Sequence, residues 1–271
     1  MNERAAGRIR IGRRADLPPD AAAFGGLSGR TAWLAWFAAL LGVAGVLAYV
    51  HLSQGWASGI VIVIVALFGA TLVRSYLDIT RLDRETRLAS SQARLLRETN
   101  DVAEFLAHAR PSVFRSHIAS LYTIFLANPQ IAQDNLIEVT HARLMARNKT
   151  VELFASILIT LGLIGTIIGL LASASGLDAV LGASETDAEA LVDGVRRTVA
   201  GLSTAFVTTL FGAIFGGVML RILTSVVDAG ILRYVAHLAE LTEVHVLPAM
   251  RRTAAKLEAT GYYRTLDNDA D

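Results

Sequence analysis

The chain is 271 residues long, 53% hydrophobic and only 18% charged, with a formal net charge of +1 and a mean hydropathy of +0.47. That balance indicates an integral membrane protein and gives no support to bulk attraction for nucleic acid, so no nucleic-acid partner is expected. The absence of cysteine excludes disulfides, thiolate metal sites and cysteine nucleophiles.

Residues 1–30 read as a flexible tail carrying six arginines, the Pro18-Pro19 pair and Gly25-Gly26. Arg13-Arg14 has the look of a twin-arginine export signal. The apolar run starts only after Pro18 and Asp20, however, and no small-residue cleavage site clearly follows it, so a solvated cytoplasmic tail is expected. Residues 31–73 form a transmembrane hairpin. Its first span runs from about Thr31 to Val50, with Trp33 and Trp36 at one interface and Tyr49 at the other. His51 to Trp56 makes the turn, and a second span follows from Ala57 to Val73.

Residues 74–152 read as a cytoplasmic helical domain, with breaks at Pro111 and at Asn128-Pro129. From Gln130 to Gly176 there is no proline, and no glycine precedes Gly162. The third span, within 153–176, is therefore expected to be the membrane end of one helix of about 45 residues, ~70 Å long. Along it Gly162, Gly165, Gly169, Ala172 and Gly176 recur at steps of three and four, which stacks them on one stripe. Such a bare stripe indicates that another backbone comes close. An acidic outer loop is expected over 177–197, then a fourth span from Thr198 to Leu220. The last segment, 221–271, reads as a helix continuing from that span, with Gly230 as its weak point, Pro248 as its stop and a fraying tail beyond.

No span contains Asp, Glu, Lys, Arg or Pro. Of the 25 Lys and Arg, six lie in the N-terminal tail, 11 between spans two and three, and six after Leu220, while the first turn has none and the outer loop two. The fold class is thus all-α, with four transmembrane helices and long helical extensions, both termini being cytoplasmic.

The six histidines lack metal-ligand spacing, no glycine-rich phosphate loop is present, and no serine has the partners of a nucleophilic triad nearby in sequence. No metal, cofactor or catalytic residue is expected, and the chain does not read as an enzyme. Spans three and four instead carry buried hydroxyls, Thr160, Thr166, Ser203, Thr204, Thr208 and Thr209, with no ionisable group among them. A hydroxyl can hydrate a path or coordinate a cation but cannot store a proton at physiological pH. A proton pathway here would need a carboxylate from another chain. The plainer alternative is that each hydroxyl bonds back to the carbonyl one turn earlier.

Leu161-Gly-Leu-Ile-Gly-Thr-Ile-Ile-Gly169 resembles the LGLLGTxxG signature of the MotA/TolQ/ExbB proton-channel family. Residues 201–212 resemble the next span of that family, an A-L-x-x-T-x-x-G pattern in which Ala205 takes the alanine, Thr209 the threonine and Gly212 the glycine. The specific likeness covers about residues 150–225, and four spans with a domain between the second and third resemble the MotA branch. The resemblance implies a bacterial inner-membrane, multi-pass protein forming a homopentameric ring around a single-span partner of MotB, ExbD or TolR type. That partner's membrane aspartate would carry the ion, which turns the ring as a motor. Thr166 and Thr209 would line the ion pathway, and Gly162, Gly165, Gly169, Ala205 and Gly212 would permit close ring packing against neighbours and membrane lipid. Hydroxyl oxygens suit H+ and Na+ alike. A non-transporting membrane scaffold is the rival reading, followed by a permease acting alone.

Overall fold

The computed structural model describes residues 28–53, 59–99, 101–127, 134–182 and 188–259. Among these residues there is no strand, and nearly every one is helical. The expected tail at 1–27, the centre of the first turn at 54–58, Asn128-Pro129, the acidic Glu185 and Asp187, and the final acidic stretch lie outside the described residues.

Helix α1, Gly29–Ser53, and helix α2, Gly59–Thr99, form the first hairpin. The start of α1 is held by α2: Gly29 and Arg30 donate backbone N–H bonds of 3.1 and 2.9 Å to the two carboxylate oxygens of Asp83. A carboxylate there meets orphan donors and the positive end of the helix dipole. One turn on, Trp33 Nε1 donates to Ser75 Oγ at 3.1 Å, and its ring stacks on Phe37 and leans on Tyr76. A buried indole N–H usually finds such a partner.

Helix α2 does not stop at the membrane. Its 41 residues run about 60 Å, and its second half is charged on the outside while Ile79, Leu82, Ala89, Ala93 and Leu96 stay buried. It ends at Thr99, and Asp101 caps the short α3, Val102–His108, by accepting the Ala103 N–H at 2.8 Å. Pro111 lies in the turn before α4, Val113–Ala127. The turn is fixed to α2 at three points. Gln92 donates to the Arg110 carbonyl, Ser112 donates to Gln92 Oε1, and the Val113 N–H reaches Glu85.

Helix α5, Asp134–Gly182, is a single helix of 49 residues that carries the third span, as the absence of proline implies. Helix α6, Ala188–Gly212, begins the fourth span. The described residues of the region 177–197 are therefore helical rather than an open loop. They are helix up to Gly182 and again from Ala188, and Asp193 and Arg197 form a 2.7 Å pair one turn apart on α6.

The fourth span continues through a π-helical stretch, Ala213–Met219, into α7, Leu220–Leu241. Helix α7 runs unbroken through Gly230, which is buried where Ile79 and Leu82 of α2 press in. Pro248 does not end the helix either. A second π-helical stretch, Thr242–Val246, precedes it, and α8, Leu247–Ala259, runs on through it. The ring of a helical proline clashes with the carbonyl four residues back, here that of Val244. In the wider stretch Leu247 N–H bonds the Thr242 carbonyl, five residues back, which relieves that crowding.

Outside the spans, α2, α3, α4, α7 and α8 enclose a dense core that includes Leu96, Phe105, Phe114, Ile118, Leu121, Tyr234 and Leu238. The spans themselves show the opposite pattern. Leu163, Ile167 and Leu171 on α5 and Phe206 on α6 are 60–71% exposed, as lipid-facing or partner-facing residues are.

Candidate functional site

The most extensive helix contact in the molecule is between α5 and α6. It is an antiparallel seam of backbone against backbone. A Cβ placed on Gly169 would lie 2.5 Å from the Ala205 nitrogen and 2.6 Å from the Gly201 carbonyl oxygen. One on Gly162 would meet the Thr208 carbonyl at 2.9 Å and Gly212 Cα at 3.1 Å, and one on Gly176 would meet the Thr198 nitrogen at 2.5 Å. Between these points the Thr208 side chain, fully buried, fills the space left bare by Gly165.

The glycine stripe is thus closed by the same chain. Gly162, Gly165, Gly169, Ala205 and Gly212, expected to pack one subunit against the next, are all buried between the two spans of one subunit. The close approach expected of these residues is thus made within one chain. Small residues permit close approach but do not specify the chain that approaches.

Thr166 and Thr209 lie at the same height on the two helices, and their hydroxyls form a short hydrogen bond across the seam. Each also faces the carbonyl one turn back: Thr166 Oγ1 is 3.0 Å from the Gly162 oxygen, and Thr209 Oγ1 is 3.0 Å from that of Ala205. The back-bonding anticipated as the plainer alternative therefore occurs together with a pairing across the seam. Each hydroxyl has one proton, so one threonine donates to its carbonyl while the other donates to its partner. The two orders are equivalent in kind, and exchanging them reverses the direction of the chain of bonds.

Ala205 is the hub of this arrangement. Its carbonyl lies 3.0 Å from Thr209 Oγ1, 3.1 Å from Thr208 Oγ1 and 3.5 Å from Thr166 Oγ1. Thr208 also reaches the Thr204 carbonyl at 2.9 Å and is walled off from outside. Thr209, by contrast, is exposed and Thr166 half-buried, so the pair opens onto the outer edge of the seam. Leu163 and Leu170 on α5 and Leu202 and Phe206 on α6, one or two turns away, are exposed beside it. The pair is about 20 Å along α5 from Leu153, where the apolar run begins.

Neither span supplies a charge at this depth. The nearest ionisable residues toward the helical body are Glu152 and Arg221, which line a cavity of about 290 Å³ with Ser156, Thr224, Ser225 and Asp228. Beside it Asn148, buried on α5, donates to the Thr224 carbonyl at 3.2 Å and to Asp228 Oδ1 at 2.7 Å, tying α5 to α7. Composition does not single out Asn148 or Asp228; each becomes informative only through a contact about 80 residues away in sequence. Thr160 and Thr204 simply bond back to the carbonyls of Ser156 and Ala200. Among the described residues no group of three or more His, Asp or Glu is placed to hold a metal ion.

No curated protein and no solved structure matches the chain. Residues 126–240, which hold α5, α6 and nearly all of α7 together with the threonine pair, match the model of the MotA/TolQ/ExbB proton channel family.

Proposed function

We propose that the chain is the ring subunit of an ion-driven motor, in which the Thr166–Thr209 pair hydrates or relays the ion and a second, single-span protein carries it. The observation that carries this reading is the placement of the pair. Two hydroxyls sit deep in an apolar span, hydrogen-bonded to each other yet open at the outer edge of the seam. A merely structural threonine needs only its own helix's carbonyl, as Thr160 and Thr204 show.

Because the spans hold no ionisable side chain, the proton or Na+ must ride on a group brought from outside. A membrane aspartate on a single-span partner of MotB, ExbD or TolR type is the chemistry that fits, neutral while it crosses the apolar wall and ionised beside the hydroxyls. Glu152 and Asp228 at the mouth toward the helical body are the groups that would exchange the ion with water. Exposed apolar faces on α5 and α6 leave room for copies of the same chain around the partner, a pentamer by family likeness, in a bacterial inner membrane with both termini cytoplasmic.

The test is flux. The protein is purified from native membranes in mild detergent, co-purifying chains are identified by mass spectrometry, and the complex is reconstituted with a pH-sensitive dye. Expected are a single-span companion with one membrane aspartate, flux only in its presence, and loss of that flux in Thr166→Ala/Thr209→Ala. Undiminished flux in the double variant, or a homo-oligomer without such a companion, sinks the proposal and leaves the scaffold reading.

A further inference from the structure

Three arginines converge where α2 and α5 leave the apolar layer. Arg74, Arg81 and Arg147 line a cavity of about 440 Å³ whose remaining wall is Leu67, Ala70, Val73, Leu77 and Phe154, with Thr71 and one acid, Asp78. The volume falls in the ~300–1,000 Å³ range of small-molecule sites. Thr71 turns its hydroxyl to the Leu67 carbonyl at 2.7 Å, so it adds nothing polar to the wall. Asp78, largely buried, gathers the arginines: Arg147 Nη2 at 3.2 Å and Arg81 Nη1 at 3.7 Å from Oδ1, Arg74 Nε at 4.0 Å from Oδ2. One carboxylate cannot saturate three guanidinium groups, each with five donors. The cluster keeps a surplus of positive charge, and each arginine side chain is about half exposed or more.

The geometry points to a binding site for one anionic phospholipid, its phosphate on Arg74, Arg81 and Arg147 and an acyl chain along Leu67, Ala70 and Phe154. The cavity runs from two turns inside the apolar layer to two turns outside it, so polar and apolar ends fall where a lipid's do. Planar guanidinium pairs match phosphate oxygens in bidentate fashion, and basic pockets between spans are suited to such headgroups. A soluble anion would use the arginines and leave the apolar wall bare. The site lies between α2 and α5, its Arg147 about 20 residues along α5 from Thr166 of the threonine pair.

The test uses the full-length protein in detergent with equal amounts of phosphatidylglycerol and phosphatidylcholine, bound lipids being counted by native mass spectrometry. The wild type is expected to retain phosphatidylglycerol preferentially, and Arg74→Gln/Arg147→Gln to reduce that preference roughly tenfold. Arg233→Gln, an exposed charge elsewhere, should leave it unchanged. Inorganic phosphate should not displace the lipid. Equal retention of both lipids, an unaltered preference in the double variant, or displacement by phosphate would overturn the assignment. Should the double variant not fold, photoreactive phosphatidylglycerol on the wild type decides the matter. Adducts within 67–81 or 147–154 support the site, and adducts confined elsewhere refute it.

Discussion

In the proposed pathway the hydroxyl pair serves the ion more than the fold, because the back-bond to the preceding turn already satisfies each threonine. That is why the threonine variants are expected to alter flux while leaving the helices packed. His117 acts on the fold through its charge. It is buried on α4, neither ring nitrogen has a hydrogen-bond partner, and burial pulls its pKa down from 6.5 to about 4. Between those two values the unfolded chain binds a proton that the folded chain does not. The stability of the neutral form is therefore complete above pH 6.5 and drains away as pH falls toward 4, levelling off below it. At about pH 5 the loss from this residue should approach 2 kcal/mol relative to about pH 7.5. Thermal melts in detergent at the two pH values check it. His117→Phe should lose less stability on acidification than the wild type, and equal losses would show that the proton goes elsewhere.

At the scale of the helices, the seam between α5 and α6 makes glycines unequal. Gly69 on α2 has nothing within 4 Å of an added Cβ, whereas Gly169 would press a methyl into the Ala205 and Gly201 backbone. Backbone cannot rotate away as a side chain can. Gly169→Ala should therefore destabilise by about 1–3 kcal/mol as an overpacked contact, and Gly69→Ala should be neutral or stabilise by up to ~1 kcal/mol from helix propensity. Denaturant titration of the two variants in detergent distinguishes them; similar midpoints would deny the seam. Much of this was legible beforehand. Apolar length marked the four spans, proline-free sequence marked the continuous α5, and glycine spacing marked a close approach. What spacing could not specify was the partner, since Gly162 opposite Gly212 and Thr166 opposite Thr209 are long-range pairings within one chain. Pro248 misled for a different reason. Proline propensity assumes an α-helical neighbour four residues back, and the π-helical stretch at Thr242–Val246 removes that assumption.

For the whole molecule, charge predicts which way it sits on one physical premise. Basic residues resist transfer across the membrane during insertion, so the side richer in Lys and Arg stays cytoplasmic. Here the segment between spans two and three has 11 of them, and the described residues at the opposite ends of the spans carry Arg196 and Arg197, with Asp178, Glu189 and Asp193 around them. The helical body built on α2, α4, α7 and α8 should thus lie in the cytoplasm, and the end of α5 with the start of α6 outside. With no native cysteine, single cysteines report position without background. Leu181, 78% exposed near the end of α5, and Glu104, exposed on α3, are suitable places. A membrane-impermeant thiol reagent applied to intact cells should label Leu181→Cys and spare Glu104→Cys, with the pattern reversed in inverted vesicles. Labelling of Glu104→Cys from outside would invert the protein. The Glu152–Asp228 mouth would then open to the outer solution instead of the cytoplasm.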